Sequence, residues 1–122
     1  MSAAEPIISS RQTQKEINGI ATQVVCTQFS NYIFIVITQY GKIGTLVSVT
    51  PESKCDDFNT PIFSTKVLLG KDEPLTHVCG KNLGTFVSQQ AGRPVLLGLA
   101  LKDPSVDAIT QIKELIKSCQ VW

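Results

Sequence analysis

The sequence predicts an α+β fold: a single, mostly antiparallel sheet of about six strands, with two helices packed on one face and the other face used for dimerisation. Three observations carry that expectation. Strand-length segments rich in β-branched and apolar residues, separated by turn residues, fill most of the chain up to Leu69. Two later segments repeat their apolar residues at helical spacing. Between them lies Val95 to Leu101 (VLLGLAL), a continuous apolar run bounded by Pro94 and Lys102, which suits a central strand buried on both faces.

The elements follow in order. Ile7 to Ile17 mixes polar and apolar residues, as a weakly patterned edge strand does after a disordered tip at residues 1–6. Ile20 to Phe29, Tyr32 to Thr38 and Ile43 to Thr50 read as three strands of an antiparallel meander, with Ser30-Asn31 and Tyr40-Gly41 as the turns. Pro51 to Pro61 gathers Pro, Ser, Asp and Asn and reads as a mobile surface loop, after which Pro61 to Leu69 returns as a strand. Asp72, Glu73 and Pro74 supply an acidic start and a first-turn proline for a helix whose apolar residues are Leu75, Val78, Cys79, Leu83, Phe86 and Val87. That helix runs to about Gln90 and stops at Gly92. Asp103-Pro104 opens a last helix with an apolar stripe of Val106, Ile109, Ile112, Leu115, Ile116 and Cys119. Residues 1–122 form one domain without internal repeats.

Composition narrows the function. Charged residues make up 17% of the chain against roughly 25% in ordinary soluble domains, while 43% are apolar, so the surface carries more apolar area than a monomer needs. A net charge of +1 without any basic run excludes nucleic acid as the main ligand. The first residues lack the charged and apolar regions of a signal peptide, and the longest apolar runs are far short of a membrane span. Cys26, Cys55, Cys79 and Cys119 are unevenly spaced with no C-x-x-C pair, which makes reduced thiols, and hence a cytoplasmic or nuclear protein, the expectation.

Strand parity points to a surface. A hairpin through Tyr40-Gly41 sets Thr38 opposite Ile43, Val36 opposite Thr45 and Phe34 opposite Val47. The opposite face then carries Ile33, Ile35, Ile37, Val24 and Cys26 under the helices. Two helices cover only one side of such a sheet, which leaves Val25, Phe29, Phe34, Val36 and Val47, mixed with Thr27, Thr38 and Thr45, facing outward. Either the N-terminal segment or the long loop folds across them, or a second, similar subunit packs there sheet to sheet, and the partner is the favoured reading.

A search for chemistry ends without a reaction. His77 is the only histidine, and Cys79, two positions on in the same helix, points to a different side, so a structural histidine is expected. One histidine with scattered cysteines does not make a metal site, and no cofactor is implied. Gly41-Lys42-Ile43-Gly44-Thr45 lacks phosphate-loop spacing and sits between strands. Gly41 is better explained by a turn, and Gly44 by tight packing. Asp56-Asp57 reads as a solvated pair, although Glu52, Lys54, Asp56 and Asp57 could make the loop a charged partner contact. Trp122 either docks on the core or serves as an exposed anchor, and docking is expected.

Several segments carry a resemblance: Thr22 to Thr27 (TQVVCT), Thr38 to Lys42 (TQYGK) with Gly44 to Val47 (GTLV), Thr65 to Gly70 (TKVLLG), Asp72 to Leu75 (DEPL), Phe86 to Gln89 (FVSQ) and the ending Cys119 to Trp122 (CQVW). In these the chain resembles the small proteasome assembly chaperones. The resemblance implies a non-enzymatic chaperone that forms a heterodimer with the related proteasome assembly chaperone 4 and promotes ordered assembly of the α-subunit ring of the 20S proteasome, leaving before maturation. It further implies a homodimer when the protein is alone. No motif assigns contacts, so the partner interface rests on parity, at Val25, Thr27, Phe29, Phe34, Val36, Thr45 and Val47. The loop residues Glu52, Lys54, Asp56, Asp57 and Phe58 are the expected α-subunit contact. The alternative is a small dimeric interaction scaffold of the trafficking type.

Overall fold

In the computed structural model, which describes residues 8–41, 44–55 and 61–122, six strands and two helices follow one another as β1 (Ser9–Ile17), β2 (Ile20–Gln28), β3 (Ile33–Thr38), β4 (Thr45–Cys55), β5 (Pro61–Leu69), α1 (Pro74–Ala91), β6 (Val95–Ala100) and α2 (Val106–Ser118). The expected α+β architecture is borne out. All six strands join one sheet in the order β1-β2-β3-β6-β4-β5, with β3 and β6 the parallel pair and the other neighbours antiparallel.

Local chemistry explains the elements. β1 turns into β2 through Asn18 and Gly19, both with positive φ, so Ile17 pairs directly with Ile20. That is the two-residue turn for which Asn-Gly is the strongest short signal. Gly92 ends α1 in the left-handed region and donates its N–H to the Ser88 carbonyl. Pro74 opens α1, but Glu73 at the N-cap makes no side-chain cap, and its carboxylate reaches Lys71 instead. Ser105, not the Asp103-Pro104 pair, caps α2 by accepting from the Ala108 N–H, while Asp103 accepts from the Ser105 N–H. Val106 therefore precedes the apolar stripe and is 85% exposed, contrary to expectation.

Three further expectations are corrected. The Tyr40-Gly41 hairpin does not form, because β6 lies between β3 and β4 and takes the hydrogen bonds of both. A wholly apolar strand loses least in the middle of a sheet, with a strand paired to each edge. Among the described residues, however, helices lie over only one face of β6, so the expected burial on both faces is not met and Leu96 on the open side is half-buried. The expected loop from Pro51 is strand as far as Cys55, with a register break between Pro51 and Cys55, and β5 begins at Pro61. The tip at residues 1–6 and the segment 56–60 lie outside the described residues.

Both helices pack on one face. α1 lies over β4, β5 and β6, and α2 over β1 and β2. Under them Val24, Cys26, Ile33, Ile35, Ile37, Val47, Val49 and Leu97 are fully buried with Leu83, Val87, Ile112 and Ile116 from the helices. Trp122 packs against this core and its Nε1 donates to Gln90 Oε1, so the tail docks as expected. One buried polar side chain ties the upper end together. Gln39 Nε2 donates to Thr22 Oγ1, while its Oε1 accepts from the N–H groups of Lys102 (2.6 Å) and Asp103 (3.0 Å) just after β6.

Glycine decides how closely α1 approaches. A Cβ at Gly84 would stand 2.5 Å from Val49 Cγ2 and 2.8 Å from Val49 Cβ, whereas one at Gly80 would meet Val47 Cγ1 at 3.2 Å. Alanine favours a helix over glycine by about 1 kcal/mol, but overpacking against a β-branched strand residue costs about 1–3 kcal/mol. Gly84→Ala is therefore expected to lower the unfolding free energy by up to about 2 kcal/mol in urea titration, and Gly80→Ala to leave it unchanged or raise it by up to about 1 kcal/mol. Equal effects would show that α1 does not sit closest at Gly84.

Candidate functional site

The register places directly opposed residues on the same face. One row across the sheet, on the side away from the helices, reads Ser10, Thr27, Phe34, Leu96, Ser48 and Lys66. The next reads Gln12, Val25, Val36, Gly98 and Leu46. Val25, Phe34, Val36, Leu46 and Leu96 are half-buried by their own neighbours, and among the described residues no helix or strand lies over them. The outer strands are polar there: Ser10 and Thr27 share a hydrogen bond of 3.0 Å, Gln23 Nε2 donates to Gln14 Oε1, and Ser48 and Thr50 share one of 3.3 Å. An apolar centre within a polar rim is the usual anatomy of a protein interface.

The parity reading placed Val25, Thr27, Phe34 and Val36 on this face, and the register agrees. Phe29 continues the parity of Val25 and Thr27 just past β2, where its ring stacks on Tyr32 at 4.7 Å between centroids. Thr45 and Val47 do not belong with them. Val47 pairs with Leu97 and is 0% exposed beneath α1, and Thr45 pairs with Leu99 on the same side. Pairing β4 with β6 instead of β3 shifts its register by one residue, which turns every side chain to the other face. Leu46 and Ser48 take their place, joined by Leu96 and Gly98, which a continuous apolar run could not assign to a side. Of the expected α-subunit contact, Glu52 is exposed and Lys54 lies within β4, whereas Asp56, Asp57 and Phe58 lie outside the described residues.

The nearest approach to reactive geometry was not legible in spacing. His77 in α1 has Nε2 2.6 Å from Asp72 Oδ1 and Nδ1 2.6 Å from Thr65 Oγ1 in β5. A carboxylate only accepts, so Nε2 carries the hydrogen given to Asp72, and in the neutral ring Nδ1 accepts from the Thr65 hydroxyl. The order hydroxyl, imidazole, carboxylate is that of a nucleophilic triad. Yet the cleft of about 280 Å³ at the start of α1, lined by Tyr40, Thr45, Leu75, Cys79 and Leu99 among others, includes none of the three. The arrangement instead holds the first turn of α1 to the outermost strand. Among the described residues no cluster of three or more His, Cys, Asp or Glu is placed to hold a metal, and no helix is long and apolar enough to cross a membrane.

Comparison with known proteins gives a consistent result. A family model described as Proteasome assembly chaperone 3 matches residues 35–119. The proteasome assembly chaperone 3 of Bos taurus is 55% identical over 119 residues, covering 97% of this chain and 98% of its own, and that of Homo sapiens is 52% identical over 118 residues, covering 96% and 97%. In fold, the chain is similar to one from the crystal structure of a novel chaperone complex for yeast 20S proteasome assembly, with a TM-score of 0.75 and 18% identity over 90% of this chain and 97% of that one.

If the Thr65–His77–Asp72 link is a structural clamp, His77→Ala removes two hydrogen bonds and lowers the unfolding free energy by about 1–2 kcal/mol. Urea titration reads this directly, and an unchanged midpoint would show that the clamp does not form in solution.

Proposed function

The chain belongs to the proteasome assembly chaperone 3 family, and on that premise we propose that it is a non-enzymatic assembly chaperone. In this reading it pairs with a related small subunit, proteasome assembly chaperone 4, through the open face of its sheet. The pair then helps the α-subunit ring of the 20S proteasome assemble in order, and leaves before the particle matures. The compartment proposed is the cytoplasm, with the nucleus as a second site.

One observation carries the partner part of this proposal: among the described residues β6 and β3, the most apolar strands, are covered by helices on one side only. Phe34, Val36, Leu96 and Leu46 stand side by side at the middle of the other side. A related subunit with the same fold offers a matching apolar sheet, and two such sheets pack face to face about 10 Å apart with side chains interdigitated. A solved chain similar in fold comes from a chaperone complex. Apart from its Lys66 end, the row through Phe34 is uncharged, so an Asp placed at its centre would be buried unpaired on association.

Tagged protein recovered from cytosol is expected to bring the related small chaperone and free α-subunits, identified by mass spectrometry, without mature β-subunits. Phe34→Asp is expected to weaken capture of the small chaperone by at least about 100-fold, as an unpaired buried charge costs about 3–5 kcal/mol, while far-UV circular dichroism stays that of the parent. Recovery of intact proteasomes, or full capture by the variant, would overturn the respective parts of the reading.

A further inference from the structure

The side of the sheet facing the helices holds a feature that partner binding does not use. Cys26, in the middle of β2, and Cys119, at the C-cap of α2, bring their sulfur atoms to 3.1 Å across a sequence separation of 93 residues. Both residues are buried, and both are free thiols. We propose that Cys26 and Cys119 form a peroxide-driven intramolecular disulfide that bolts the end of α2 to β2.

The geometry needs little change. The sulfurs have to close by roughly 1 Å to reach the bond length of about 2.05 Å. Both side chains already point at each other from elements that are packed together, α2 lying on β1 and β2. Arg11, opposite Cys26 in β1, brings its guanidinium to the same end, where Nη1 donates to the Gln120 carbonyl at 3.4 Å. The two thiols are not equivalent. Hydrogen bonding to Cys119, and then burial, raise the Cys26 thiol. Cys119 is held below its ordinary value, first by its hydrogen bond with Cys26 and then through the Arg11 charge, against the opposing effect of burial. With the Arg11 guanidinium bonded to the main chain next to it, Cys119 is the thiol assigned the first attack.

The steps balance. The Cys119 thiolate attacks one oxygen of hydrogen peroxide, the O–O bond breaks, and Cys119 becomes a sulfenic acid while the departing hydroxide takes up the proton that the thiol had lost. The Cys26 sulfur then attacks the Cys119 sulfur, the S–S bond forms as the S–O bond breaks, and the hydroxide leaves as water with the Cys26 proton. Two thiols are oxidised and one peroxide is reduced to two waters. The bond lies on the helix-covered side of the sheet, away from Phe34 and Val36, so its formation is independent of the partner reading.

The test treats the reduced, reductant-free full chain with hydrogen peroxide, blocks the remaining thiols, and maps tryptic peptides without reduction. The expected product joins the peptide spanning residues 16–42, which holds Cys26, to that spanning 118–122, which holds Cys119. Its mass is the sum of the two less two hydrogens, and Cys79 is recovered blocked. The oxidised protein should unfold at a higher urea concentration than the reduced one, and neither effect should survive Cys26→Ser or Cys119→Ser. Recovery of Cys26 and Cys119 as blocked thiols, of Cys119 as sulfinic acid without the link, or of a link to Cys55 or Cys79 would each overturn the proposal, and peptide mapping of the parent protein is sufficient to distinguish these outcomes.

Discussion

The pairing on which the rest of this molecule depends is the insertion of β6 between β3 and β4. A parallel neighbour cannot be reached by a tight turn and needs a long crossover, and here β4, β5 and α1 together provide it between β3 and β6. Once β6 is seated, the register of both central pairs is set by its residues: Ile35 beside Leu97 and Val47 on one side of the sheet, Phe34 beside Leu96 and Ser48 on the other. What the two faces offer follows from those two rows.

The face beneath the helices is closed by fit more than by any single contact. Gly84 lets α1 settle onto Val49, and the Ala108, Ile109, Ile112, Leu115 and Ile116 stripe seats α2 over β1 and β2. Among the described residues the buried side-chain polar groups are hydrogen-bonded, as such groups generally are, except for Thr85 Oγ1 in α1. Gln39 gathers two main-chain N–H groups at the exit of β6, and Arg93 donates to the Phe29 carbonyl and Gln28 Oε1 at its entry, so both ends of the central strand are fastened to β2 and β3. The His77 imidazole does the same for β5, joining Thr65 to Asp72 ahead of α1. Its triad-like order follows from where β5, α1 and the residues ahead of α1 place the three groups, with the imidazole between a hydroxyl that can donate and a carboxylate that only accepts.

The open face is built on the opposite plan. Its centre is apolar and only half covered, and its margins carry Ser, Thr and Gln that bond to each other in pairs. Strand residues of this kind lose much of their stabilisation if water stays on them, and a related sheet laid across them would remove it.

Period, punctuation and composition were enough to place most of the elements, although they read Pro51 to Cys55 as loop where β4 continues. Pro61 to Leu69, the helix stopped by Gly92, and the central placing of Val95 to Leu101 all follow from local rules of backbone conformation and burial. The Asn18-Gly19 turn was not read from the sequence, although a two-residue loop with two positive φ values favours that pair. Half of the surface was legible too, since β2 and β3 are joined by a short turn and their shared parity carries Val25, Thr27, Phe34 and Val36 to one side. The remainder was decided only in three dimensions. No local signal tells an all-apolar strand which gap to enter, and a seamless apolar run has no alternation to show which side chains face which way. The entry of β6 beside β3 moved Thr45 and Val47 under the helices and brought Leu46 and Leu96 out, and it is a long-range choice made by packing. The meeting of Cys26 with Cys119, and of Thr65 with His77, belongs to the same class. Residues far apart in the chain become neighbours through the arrangement of strands and helices that holds them, and nothing in the spacing of the residues themselves records it.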